Sequence, residues 1–337
     1  MKKADFFEKL ENDFVQCTLC PHNCRIAPKK FGLCGVRQNQ QGVLVTHVYE
    51  RAIATHVDPI EKKPLFHVYP GSKSFSVATV GCNFTCTFCQ NHEISQMPLT
   101  GRIQGYPLSA NEVVKAAREQ GCRTIACTYT EPTIYYEYAY DIAVIAKKHD
   151  IDVVFVSNGY INPKPLKKIA PFLTAINVDL KGWDEQFYRQ VCGGDLKSVK
   201  SSLKLIKSLG IFLEVTTLVV TGYVDNTDTL KSIARFIVEE LGSDTPWHVS
   251  RFHPSYQYRN SQPTPLSILQ HAREIGYEQG LRYVYSGNVF GDEGESTFCY
   301  SCGAKLIARR GYEIISNAVK NNACPYCGAE IDGVGMS

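Results

Sequence analysis

Val80-Gly81-Cys82-Asn83-Phe84-Thr85-Cys86-Thr87-Phe88-Cys89-Gln90-Asn91 is the stretch on which the reading of this 337-residue chain turns. The run that leads into it, Phe75–Val80, is apolar and β-rich and reads as a strand. Gly81 and Asn83 let the chain turn sharply off that strand. The loop then offers three thiols, Cys82, Cys86 and Cys89, and no fourth cysteine follows nearby. A cubane iron–sulfur cluster ordinarily takes four cysteines, so three leave one iron open to a ligand that is not protein. His92, three positions beyond Cys89, keeps a Cys3His zinc site open as the alternative.

Outward from this loop, short β-rich runs alternate with longer amphipathic ones. Strands are expected at Phe75–Val80, Thr124–Thr128, Asp152–Val156, Ala175–Asp179, Phe212–Leu218, Trp247–Ser250 and Arg282–Tyr285. Helices are expected at Ala110–Gln120, Ile134–Lys148, Pro165–Ala170, Leu196–Ser208, Thr227–Glu240 and Ile268–Gln279. Gly121, Gly210, Gly242 and Gly280 stand where helices need a left-handed terminator, and Ser109 is a plausible N-cap. This alternation predicts parallel βαβ units and an α/β fold, a partial or complete parallel (βα) barrel. Chemistry in such barrels gathers at the carboxyl ends of the strands, where the three-cysteine loop begins.

Composition narrows the function classes. Hydrophobic residues make up 44% and charged residues 20% of the chain, as in ordinary soluble proteins. A net charge of +3 supplies no electrostatic case for nucleic acid or a membrane surface. Met1–Lys9 mixes charged and apolar residues at helical spacing without an apolar signal core, and no membrane-spanning run is present. A cytoplasmic location is expected, and there clustered cysteines indicate metal rather than disulfides.

The 14 cysteines include two further sets. Cys299-x2-Cys302 and Cys324-x2-Cys327, each followed by glycine, predict a C-terminal zinc ribbon over residues 291–337. Cys17, Cys20, Cys24 and Cys34 mark a metal-binding segment over residues 1–73, with zinc and an auxiliary iron–sulfur cluster both open. The barrel core is expected to occupy residues 74–290. Cys122, Cys127 and Cys192 read as packing residues. His248, Arg251 and His253 are expected to face the pocket from a late strand end.

Taken with its aromatic Phe88, the loop resembles the cluster loop of radical S-adenosylmethionine (radical SAM) enzymes. Thr128-Tyr129-Thr130-Glu131-Pro132 resembles the family's Gly-Gly-Glu-Pro segment, though both glycines are replaced. Ser157-Asn158-Gly159-Tyr160 resembles its ribose-binding strand end, and Asp179-Leu180-Lys181 matches a segment of pyruvate formate-lyase activating enzymes. Cys17–Arg25, Gly32–Arg37, Asn177–Trp183 and Tyr285–Val289 extend the likeness to the AmmeMemoRadiSam group.

The resemblance implies a 4Fe–4S cluster on Cys82, Cys86 and Cys89 and reductive cleavage of SAM to a 5′-deoxyadenosyl radical. It also implies that Phe88, Glu131, Asn158, Asp179 and Lys181 contact SAM. Glu131 would pair with the SAM ammonium and Lys181 with its carboxylate. A protein or peptide substrate, an external electron donor, and Memo-type and AMMECR-type partner proteins are implied likewise. A small metabolite or RNA is the alternative substrate. A non-catalytic zinc–thiolate scaffold is the alternative from outside enzymology.

Overall fold

The computed structural model describes residues 1–337. Eight strands form the central sheet: β1 (Ala54–Pro59), β2 (Lys73–Ala78), β3 (Thr124–Cys127), β4 (Asp152–Ser157), β5 (Ala175–Asp179), β6 (Phe212–Val219), β7 (Trp247–Arg251) and β8 (Val284–Gly287). Their spatial order is their chain order, running from β8 at one edge to β1 at the other. Strands β2 to β8 are all parallel, whereas β1 lies antiparallel on β2. The sheet is therefore open, a partial rather than a closed barrel.

Six crossover helices connect the parallel strands: α1 (Ala110–Glu119), α2 (Tyr136–Lys147), α3 (Pro163–Ile169), α4 (Leu196–Ser208), α5 (Thr227–Phe236) and α6 (Leu266–Glu278). Ser109 starts α1 through a full capping box with Glu112, satisfying two otherwise orphaned amides. Tyr136, Tyr138, Ala139 and Ile142 turn the apolar face of α2 into the main core. A fully buried side chain of the size of Ile142 contributes about 1.5–3 kcal/mol. In-register pairing of neighbouring strands, such as Ser157 beside Val178 and Asp179 beside Thr216, sets the carboxyl ends on a common rim.

Outside the sheet the chain ends behave differently from the helical expectation at Met1–Lys9. Lys2–Lys3 pairs with Val43–Thr46, and Phe7–Lys9 pairs with Val15–Cys17. Strand pairing there overrides the helical spacing. The C-terminal segment is a small antiparallel sheet of Thr297–Phe298, Lys305–Arg310 and Glu313–Asn317. Its core of Leu306, Ile307, Val319, Ile331 and Met336 packs on Phe66, Tyr283 and Tyr285. Tyr285 belongs to β8 and Phe66 to the connection after β1, so the segment spans the gap between the two sheet edges. Arg309 fastens it there, donating to the Phe66 carbonyl at 2.8 Å and lying 3.7 Å from Glu61. No helix is long and apolar enough to cross a membrane.

Candidate active site at the strand ends

One cavity of about 420 Å³ opens at the carboxyl ends of the parallel strands. Cys82, Cys86, Cys89, Phe88, Glu131, Asn158, Asp179 and Lys181 all line it, brought together from four different strand ends. The cysteine loop is held by the turn Tyr188–Cys192 that follows β5. Thr85 N–H donates to the Cys192 carbonyl at 2.9 Å, and Thr87 N–H to the Val191 carbonyl at 3.0 Å. That turn can approach closely because Gly194 lies against the Phe84 ring, where any Cβ would stand 2.2 Å from Cε1.

Each sulfur has polar company. Phe84 N–H points at Cys82 Sγ from 3.3 Å, and Cys89 Sγ meets Ser95 Oγ at 3.3 Å. Burial, reinforced by the Glu131 charge, pushes the Cys82 thiol well up. Cys86 goes the other way: a hydrogen bond with Cys192, aided by the Lys181 ammonium against burial, holds it below its ordinary value. Cys192 thus touches the loop rather than only filling core. His92 stacks on Tyr256 at 4.4 Å, and its Nδ1 sits 3.2 Å from the Cys89 carbonyl. It joins no compact ligand group with the three thiols.

Glu131 carries more hydrogen bonds than its sequence context suggested. Oε1 accepts from Thr133 N–H, Thr133 Oγ1 and Ser157 Oγ, and Oε2 accepts from Asn158 N–H at 2.8 Å. Burial raises its pKa and those hydrogen bonds oppose the rise. The carboxylate is a hub that fixes the β3 and β4 ends together, with only Oε2 holding spare acceptor capacity. Asn158 in turn donates through Nδ2 to Asn83 Oδ1 at 2.8 Å and lies 3.8 Å from Cys82 Sγ. Lys181 Nζ pairs with Asp179 at 2.8 Å, and its pKa stands well above the usual value although burial works against it. Phe88 lies parallel to Phe187 at 6.1 Å.

The late strand ends differ from expectation. His248 does line the cavity, as a wall residue: Nε2 meets Glu214 at 2.6 Å and the ring stacks on Tyr285. Arg251 is directed away, its Nε donating to the Thr264 carbonyl, and His253 is exposed outside the cavity. Side chains alternate along β7, so Arg251 falls on the face opposite His248 and Ser250, and His253 lies past the strand's end. Conversely, Glu295, Gly311 and Tyr312 of the C-terminal segment line the cavity, although no local pattern marks them. Thr216 Oγ1 is buried on the rim with no hydrogen-bond partner, as befits a group awaiting a ligand.

The C-terminal cysteines form the chain's one compact ligand group, with all four sulfurs within 4.8 Å of one another. Cys299–Cys327 and Cys302–Cys324 are 3.6 and 3.8 Å apart. The two halves mirror each other: Gly303 N–H returns to the Cys299 carbonyl and Gly328 N–H to the Cys324 carbonyl, both glycines at positive φ. Cys17, Cys20, Cys24 and Cys34 line a separate small cavity with Asn83 and Arg37. None of the 14 cysteines is in a disulfide.

Residues 76–237 match the family model of the Radical SAM superfamily. An uncharacterized protein of Methanocaldococcus jannaschii is 45% identical over 98% of this chain and 99% of its own length. A putative glycyl-radical enzyme activating enzyme of the same organism is 21% identical, covering 60% of this chain and 77% of its own. Among solved structures, Streptococcus suis SuiB bound to precursor peptide SuiA superposes with a TM-score of 0.51 at 12% identity, over 69% of this chain and 52% of SuiB.

Proposed function

Because this chain belongs to the radical SAM superfamily and is an enzyme, we propose that Cys82, Cys86 and Cys89 hold a 4Fe–4S cluster whose open iron binds SAM. The observation that carries this is the convergence of those thiols with Glu131, Asn158, Asp179 and Lys181 on one cavity. The donor set fits: three thiols from one loop, amide and hydroxyl donors aimed at sulfur, and an unpartnered Thr216 hydroxyl beside them. Bound there, a cluster reduced by an external one-electron donor would supply one electron to the SAM sulfonium, the chemistry that breaks its C5′–S bond to methionine and a 5′-deoxyadenosyl radical.

The chain's own residues position and shield. Lys181 offers a cation to the methionine carboxylate, and the spare acceptor of Glu131 faces the ammonium's chemistry. Asn158 ties the SAM-facing strand end to the cluster loop through Asn83, so that loop and cofactor are placed by one network. Asp179 orients Lys181 and offers an acceptor for a hydroxyl. Phe88 closes the apolar side of the loop against water.

For the substrate we propose a protein or peptide segment. A cavity of about 420 Å³ is near the small end of ligand pockets, so with a cluster and SAM inside it a substrate would have to reach in from the mouth. That suits a chain inserted by its tip, in keeping with the name of the activating-enzyme relative and with the peptide-bound structural neighbour. An external one-electron donor and Memo-type and AMMECR-type partners complete this reading. The C-terminal set is proposed as a zinc ribbon. Zinc–sulfur bonds of about 2.3 Å set tetrahedral sulfurs about 3.8 Å apart, and the two closest pairs here are at 3.6 and 3.8 Å.

Anaerobic reconstitution, dithionite and SAM should yield 5′-deoxyadenosine, and the Cys86→Ala protein should yield none. A fully assembled, reducible cluster that forms no 5′-deoxyadenosine would defeat the proposal. Deuterium carried from a labelled candidate peptide into 5′-deoxyadenosine identifies the substrate.

A further inference from the structure

The N-terminal cysteines form a site that the SAM reading does not use. Cys17, Cys20, Cys24 and Cys34 line one cavity, otherwise walled by apolar groups such as Leu19, Ile26 and Ile134. Arg37 opens onto the same cavity and is 1% exposed. Its Nη2 serves the Asp5 carbonyl and Glu137, while Nε and Nη1 have no partner. A buried guanidinium with two idle donors, aimed among four sulfurs, calls for an anionic group there.

Zinc and an iron–sulfur core both leave four thiolates with residual negative charge, so Arg37 does not choose between them. Spacing does. One zinc ion draws its four sulfurs to a single centre, and the C-terminal set shows what this chain does in that case. The N-terminal sulfurs form no such compact group; they surround a cavity. A cubane binds each thiolate at a different corner, and a surrounding set is what it needs.

The site also adjoins the SAM loop. His22 Nε2 lies 2.7 Å from the Asn83 carbonyl, one residue from Cys82 and two from Cys20. Gly81, at φ +103°, approaches so closely that a Cβ there would stand 3.2 Å from the Cys34 carbonyl. We propose that Cys17, Cys20, Cys24 and Cys34 bind a second 4Fe–4S cluster, with His22 joining its loop to that of the first. The identity of its neighbour rests on the SAM reading above; the second cluster itself does not.

Metal and acid-labile sulfide analysis of the anaerobically reconstituted full chain tests this. About eight iron, about eight sulfide and about one zinc per chain are expected. The Cys82→Ala/Cys86→Ala/Cys89→Ala protein should keep about four iron, with absorbance near 400 nm that dithionite bleaches. About four iron in the wild type, whether with one zinc or two, overturns the proposal, as does a triple variant without iron. Should the triple variant fail to fold, Cys17→Ala/Cys20→Ala decides: iron halved with zinc unchanged supports the second cluster, and zinc lost with iron unchanged sinks it. The reduced wild type should show an electron paramagnetic resonance spectrum split by two neighbouring paramagnets, collapsing to a single-cluster signal in either variant. Retained iron in the triple variant, with no 5′-deoxyadenosine from the wild type, would uphold the second cluster while removing the SAM reading.

Discussion

The two ends of the chain each carry four cysteines, yet they are built for different tasks. At the C-terminal end the sulfurs converge, two of the four are exposed, and the segment keeps a small core of its own. At the N-terminal end the sulfurs surround a cavity, and Cys17, Leu19, Ile26 and Val36 merge into the main core beside the SAM loop. The cysteine count is alike; the spacing and what each set adjoins are not. The C-terminal segment is a self-contained clamp across an open sheet, and the N-terminal set packs against the three-cysteine loop.

Emptying the proposed C-terminal zinc site should have the largest effect on stability. Structural zinc contributes about 10–16 kcal/mol to folding small zinc modules, so Cys299→Ser/Cys324→Ser should unfold that segment. Limited proteolysis beyond Phe290 should then become rapid and the thermal midpoint should fall. Cys17→Ala/Cys20→Ala should leave that proteolytic pattern intact. An unchanged pattern in the C-terminal variant would break the clamp half of the comparison.

Each end also buries one ion pair: Arg37 with Glu137 at 2.8 Å, and Arg309 with Glu61 at 3.7 Å. Removing one partner strands the other charge, at a cost of about 3–5 kcal/mol. Arg37→Ala and Arg309→Ala should therefore shift urea midpoints by similar amounts. They should separate on other readouts, since only Arg37→Ala should alter the iron–sulfur spectrum and only Arg309→Ala should expose the C-terminal segment to protease.

The clamp has a pH dependence of its own. His67 is buried between the Asp332 carbonyl, which takes its Nδ1 proton, and Tyr285, whose hydroxyl donates to Nε2. Burial lowers its pKa from 6.5 to about 4, although Glu214 pulls the other way. Between those values the unfolded chain binds a proton that the folded one refuses, so stability falls as pH drops through that window. The difference amounts to about 3 kcal/mol, and His67→Gln should flatten it in denaturant titrations at stepped pH. Glu214, held below its usual pKa by His248 despite burial, adds a loss only at lower pH still, as it becomes protonated.

Much of the core was legible because its signals are local. Hydrophobic period and terminating glycines located the seven parallel strands and their helices to within a few residues. The cysteine loop lay beside its strand, and Glu131, Asn158, Asp179 and Lys181 fell at successive strand ends, so one topology predicted their meeting. What escaped was set by distant contacts. Strand β1, Ala-Thr-His-Val-Asp-Pro, has neither alternation nor an apolar run; it is a strand because β2 offers it an edge. Glu295 and Tyr312 reach the cavity only because the C-terminal segment docks on Phe66 and Tyr285. Arg251 and His253 sit in the right stretch but off the cavity: Arg251 is out of phase with His248 and Ser250 on β7, and His253 follows the strand's end. Likewise the hydrogen-bond hub at Glu131 could not be read locally, because Ser157 and Asn158 donate to it from another strand end.

The smallest predicted effect tests the finest point of the comparison. If the N-terminal set serves the reactive centre, the contact joining them should matter for electronics more than for folding. His22 makes one hydrogen bond to the Asn83 carbonyl and an edge contact with Tyr160 at 4.9 Å. Losing one such hydrogen bond removes about 0.5–1.5 kcal/mol, so His22→Ala should barely move the urea midpoint. The same change should nonetheless weaken the spin coupling between the two clusters and slow 5′-deoxyadenosine formation with a protein electron donor, while metal content stays at the wild-type level. A His22→Ala protein as unstable as Arg309→Ala would make His22 a structural pin, and the N-terminal end would then be a second clamp rather than part of the reactive centre.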